Sequence, residues 1–214
     1  NKGAAENFKK NFSKLLKTRG VTWQTKFHAF FHLLNSSMFL IILLIAVLSV
    51  PILFIKADHP ELQYVFYGLA GFVVSTFIFL GCYWASYAQV HGSGFKNFFK
   101  FIGMFLAFFS VAMGFSLHNT IAILEGHLGR KSEFIRTPKF NIDKLGTSLK
   151  ANQYVTTQLN GVQVLELVLF LYFGFGLYAA FLVEDFGLFI FHLMLFFGFG
   201  FVSFGSVFQS ISRS

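Results

Sequence analysis

The chain reads as an all-α integral membrane protein, a helical bundle of four transmembrane helices accompanied by amphipathic helices at the interface. Three observations predict this. Hydrophobic residues fill 55% of the 214 positions and charged ones 12%, with a mean hydropathy of +0.64, whereas soluble domains carry about 25% charged residues. Charge-free runs long enough to cross a hydrocarbon core of about 30 Å recur along the sequence. The cations behind the net charge of +8 are gathered in short hydrophilic stretches, a pattern that suits anionic lipid headgroups and argues against nucleic acid as a partner.

The elements follow in order. Residues 1–26 open with Ala4, Ala5, Phe8, Phe12, Leu15 and Leu16 on one helical face and Lys9, Lys10, Lys14 and Lys17 off it. That division predicts an amphipathic helix on an anionic surface, ending at Gly20. Residues 27–94 hold the first transmembrane pair, with a run from Leu33 to Ile55, a short turn "KADHPE", and a second run from Leu62 to Gly94. Tyr64, Tyr67, Tyr83, Trp84 and Tyr87 lie toward the ends of that second run, as interfacial aromatics do. Pro51 is expected to kink the first.

Residues 95–128 divide into a small or polar stripe (Lys96, Lys100, Gly103, Ala107, Ser110, Gly114, His118, Glu125) and an opposite aromatic face. Such a helix can lie in the plane of the interface or pack its small face on neighbours. Residues 129–161 form a loop carrying Arg130, Lys131, Arg136, Lys139, Lys144 and Lys150, too many cations for hydrocarbon. Residues 162–214 supply the second transmembrane pair, Val162 to Val183 and Phe186 to about Phe208, joined at Glu184 and Asp185.

Charge sets the expected orientation. The first 26 residues hold seven cations against one acid, Glu6, which by the positive-inside rule faces the cytosol. With residues 95–128 along the inner face, every basic stretch is inside and the acidic turns, Asp58/Glu61 and Glu184/Asp185, are outside. The expected location is the plasma (inner) membrane, multi-pass, with the N-terminus and the basic loop cytoplasmic.

Several residues carry possible chemistry. His28 and His32 have the i, i+4 spacing that can seat a metal, without a further histidine box or a nearby carboxylate. His118 and His192 fall in apolar surroundings, where hydrogen-bonded structure is the plain expectation and haem ligation the sharper one. Glu166 and Glu184/Asp185 sit near span ends, where a carboxylate reaches water or marks a transport path. Cys82, the one cysteine, excludes an internal disulfide and is expected only to pack. In "EFIRTPKF", Pro138 keeps Thr137 extended. Thr137 and Lys139, backed by Arg136, then make a clamp suited to a diphosphate, against the plainer reading of a basic loop on headgroups.

The run "SLHNTIAILEGHLGRKSEFIRTPKF", Ser116 to Phe140, resembles the segment of membrane-embedded family 2 glycosyltransferases, the cellulose synthases and mannan-synthase-like enzymes, that leads into their F-x-V-T-x-K gating loop. Phe134, Thr137 and Lys139 match that motif, and Arg136 replaces its Val. "NKGAAENFKK" is similar to the stretch directly after the family's Q-x-x-R-W motif. The resemblance implies the anchoring, channel-forming and gating-loop portion of a processive-type, inverting enzyme that moves sugar from a nucleotide donor to a polysaccharide or glycolipid. Phe134, Arg136, Thr137 and Lys139 would contact the nucleotide-sugar. The catalytic residues and a divalent metal would belong to a cytosolic domain and helices preceding Asn1, so neither catalytic residue nor cofactor is expected in this chain. The implied partners are that domain, the nucleotide-sugar, a glycan or lipid acceptor and anionic lipids. The competing expectation is a non-enzymatic transporter subunit or assembly module.

Overall fold

The computed structural model describes residues 1–130 and 160–211. Among them the chain is all helical: α1 (Lys2–Lys17), α2 (Trp23–Leu34), α3 (Met38–Asp58), α4 (Gln63–His91), α5 (Phe95–Gly114), α6 (Ser116–Leu128), α7 (Gly161–Leu182) and α8 (Phe189–Ile211), with short 3₁₀ turns before α3 and α4. Four helical stretches of the described residues are long and apolar enough to cross a membrane: Trp23–Asp58, which runs through α2 and α3, then Phe95–Gly114, Gly161–Leu182 and Phe189–Phe208. This is a helical membrane protein. Its exposed surface agrees, because many large side chains such as Phe77, Phe108, Leu171, Phe197 and Phe201 point outward, a pattern that suits lipid as the solvent.

Local chemistry explains the helix ends. Thr22 caps α2 by accepting the Thr25 N–H. Asn160 and Gln163 cap α7 reciprocally: the Asn160 carbonyl oxygen of the side chain accepts from the Val162 and Gln163 amides, and Gln163 Oε1 accepts from the Asn160 amide. α6 ends at Gly129, whose φ of +79° lets its amide reach the Gly126 carbonyl while the Arg130 amide reaches that of Glu125. α7 ends with the same wrap, the Asp185 amide bonding the Ala180 carbonyl, but there the left-handed residue is Glu184, φ 53°.

The 95–128 segment is two helices, not one. Gly114 and Phe115 interrupt it, so the small stripe drawn along a single helix divides: Ser110 and Gly114 are buried on α5, while His118 and Glu125 belong to α6. α5, read from the sequence as part of an in-plane helix, has the length and apolarity of a span. Cys82, expected to pack, is exposed on α4.

Two compact units divide the residues: residues 1–43, 115–167 and 202–214 in one, residues 44–114 and 168–201 in the other. In the second unit Ala46, Val50, Leu53, Phe173, Ala179, Ala180, Leu195 and Phe199 form the buried core. Its helices approach closely at glycines. A Cβ on Gly176 would meet Val50 Cγ2 at 2.9 Å, and one on Gly198 would overlap the Ser110 carbonyl oxygen. Gly174 lies under the ring of Phe196 and Gly200 under that of Phe170, and these two rings stack at 4.4 Å.

Candidate functional site

In the first unit, α1 lies along α6. The amphipathic pattern buries Ala5 in the contact, and Gly126 permits the approach, since a Cβ there would sit 2.6 Å from the Lys2 carbonyl oxygen and 2.8 Å from Ala5 Cβ. Lys2 Nζ pairs with Glu125 at 3.0 Å, and the Asn1 amide group donates to Asn119 Oδ1. Phe8 meets Phe12, Phe30 and the His127 ring, while His127 Nε2 shares a 3.2 Å hydrogen bond with Ser37. A surface helix is thereby fixed to the helix that leads into the basic loop. Lys9 Nζ reaches the end of α6, 3.1 Å from a Cβ placed on Gly129.

The same unit contains a buried polar centre. The side chain of Glu166, on the first turns of α7, is fully enclosed, with Oε1 against His118 Nε2 of α6. Ser206 Oγ of α8 donates to Oε2 at 3.4 Å. The buried hydroxyls of Ser116, Thr120 and Ser203 have no hydrogen-bond partner among the described residues. Removing a carboxylate from water is expensive unless a cation or donors accompany it, so His118 and Ser206 are what permits Glu166 to sit there. The arrangement offers acceptors and donors to a cationic or hydroxyl-rich group.

The second unit handles its polar groups differently. Pro51 lies inside α3, and having no N–H it leaves the Val47 carbonyl without its helical donor. The Tyr172 hydroxyl of α7 donates to that carbonyl at 2.6 Å. Ser49 of α3 shares a 2.8 Å hydrogen bond with His192 Nε2 of α8. Lys56, at the end of α3, pairs with Asp185, and the Lys56 ammonium holds the Asp185 carboxyl below its ordinary range.

Of the residues expected to act, Phe134, Arg136, Thr137 and Lys139 lie outside the described residues. Glu166 and His118, treated separately in the sequence, come together. His28 and His32 stand on α2, and among the described residues no three metal-ligating side chains form a group. Sequence reasoning passed over Gly126, Gly198 and Tyr172. The repeated "FGFG" at 173–176 and 197–200 was a legible signal for close helix approach in α7 and α8; nothing in the sequence pairs Gly126 with Lys2. Compared with protein-family models, with curated proteins and with solved structures, the chain finds no match.

Proposed function

We propose that this chain is the membrane-embedded, gating-loop portion of a processive-type glycosyltransferase that takes sugar from a nucleotide donor. One observation supports the reading: α1, which contains the first stretch that resembles the family, packs through Gly126, Ala5 and the Lys2–Glu125 pair on α6, which holds the start of the second. A catalytic domain attached ahead of α1 would thus be coupled to the helix that delivers the "FIRTPK" loop. In this reading the diphosphate is gripped by Lys139 and Thr137, with Arg136 beside them.

The same contact supports one membrane face for the N-terminal cations and the start of the basic loop, and by charge that face is cytoplasmic. An even number of crossings then separates α1 from α6, so two of α3, α4 and α5 cross. The buried Glu166–His118 pair is the observation that favours the competing reading, a transporter subunit.

The test uses the complete open reading frame that contains this chain, assayed for nucleotide-sugar-dependent transfer. Lys139→Ala should lower donor affinity roughly tenfold or more and Thr137→Ala by less, because a bond to a charged group is worth more than a neutral one. Lys150→Ala should leave donor use nearly intact. Absence of transfer by the unaltered protein would favour the transporter reading; equal small losses at Lys139 and Lys150, vanishing together at high salt, would return the loop to a headgroup-binding patch.

A further inference from the structure

In the second unit α5 uses its two faces for different purposes. Ser110 and Gly114 meet Gly198 of α8, which leaves the aromatic face for α4. The two helices run antiparallel, since Tyr87 meets Phe101 at 5.5 Å and Tyr83, one turn earlier on α4, meets Phe105, one turn later on α5, at 6.2 Å. Between them lies an open groove of about 390 Å³, lined by Tyr83, Tyr87 and Phe101 together with Met104, Phe105 and Phe108. It has room for one extended hydrocarbon chain.

The groove has a polar end. α4 and α5 are joined there by Gly92–Ser93–Gly94, and Lys96 and Lys100 extend from the first turns of α5. Lys100 stands one helical turn before Met104 and two before Phe108, on the flank of the groove. Both lysines are exposed, and neither joins an ion pair among the described residues. α4, the turn and α5 contain no acidic residue at all. Lys100 borders the groove and Lys96, on the small stripe, lies one turn nearer the connection, so an uncompensated cation at the edge of an apolar groove, with a second at its wet end, complements an anionic head on a hydrocarbon tail.

We propose that this groove is a binding site for one anionic glycerophospholipid, its phosphate held by Lys96 and Lys100 and an acyl chain lying along Phe101, Met104, Phe105 and Phe108. The site stands independently of the glycosyltransferase reading.

Trp84 reports on the site because its indole lies 5.2 Å from the Phe98 ring and 5.5 Å from the Phe101 ring. With Trp23→Phe, Trp84 becomes the sole tryptophan of the chain. The 214-residue chain is reconstituted in vesicles containing phosphatidylglycerol or phosphatidylcholine with identical brominated acyl chains, and quenching of Trp84 is titrated against mole fraction. The expected result is a preference of roughly tenfold for phosphatidylglycerol, from two lysines near the phosphate. It should collapse in Lys96→Gln/Lys100→Gln and persist in Lys14→Gln/Lys17→Gln. Equal quenching by the two lipids would mean ordinary boundary lipid and overturn the proposal. So would a preference that survives Lys96→Gln/Lys100→Gln, or one lost equally in the α1 double variant.

Discussion

The two units bring helices together by the same device and secure them by different chemistry. In the first, Gly126 lets α1 settle on α6, and the contact is locked by an ion pair, Lys2 to Glu125, whose Lys2 side chain keeps 19% of its surface exposed and Glu125 35%. In the second, Gly198 lets α8 meet the α5 backbone at Ser110 and Gly114, and the surroundings are aromatic rings and neutral hydrogen bonds. Charge is used where water reaches the partners and can be shed when they separate. Among apolar helices an unpaired charge has no such refuge, and neutral donors such as Tyr172 and Ser49 take over. Lys56–Asp185 fits this division, because it lies at helix ends. Glu166 does not, and its full enclosure is why it stands out as a candidate centre.

The largest effect expected from breaking this comparison is at Gly198. A methyl group there would overlap the Ser110 carbonyl oxygen, a backbone atom that no rotamer change can move. Gly198→Ala should destabilise the chain by roughly 3 kcal/mol, read as a lowered thermal midpoint in detergent; an unchanged midpoint would show that α5 and α8 do not meet there.

Gly126→Ala should matter less to global stability, about 1–2 kcal/mol, because α1 is a surface helix that can lift from α6. Its sharper signature is local. Amide exchange in α1 should quicken, with α7 and α8 unaffected. Lys2→Ala should produce the same local signature more weakly, since a partly exposed pair contributes only about 0.5 kcal/mol. Protection of α1 that survives both changes would remove the coupling on which the proposed function rests.

Tyr172→Phe, which removes a single oxygen, should cost about 1 kcal/mol by leaving the Val47 carbonyl without a donor. Restoring the helical donor with Pro51→Ala should rescue it. A Tyr172→Phe protein as stable as the original, in the presence of Pro51, would mean that the carbonyl finds another partner.

Much of the fold was legible because its causes are local. The seventh helix was read as Val162 to Val183 and is Gly161–Leu182, since an apolar run broken only by Glu166 and its Asn160/Gln163 cap are written in adjacent residues. The helix read over residues 95–128 was misjudged as continuous because a 3.6-residue period carries across Gly114–Phe115 without revealing a break. Little of the candidate centre was legible. Glu166 and His118 are 48 positions apart in the sequence, and each alone resembles a helix-end carboxylate or a core imidazole.

The sequence by itself determined the solvent, the helical class and the face by which α1 would bind, because composition, run length and periodicity act over a few turns. It also determined that Pro51 would orphan a carbonyl. Only the tertiary structure decided that Tyr172 answers it, that Gly126 receives α1, that Gly198 receives α5, and that His118 and Ser206 close on Glu166. Those choices depend on which helix faces which, and packing between elements distant in the chain is set by the summed fit of many side chains, which no local pattern encodes.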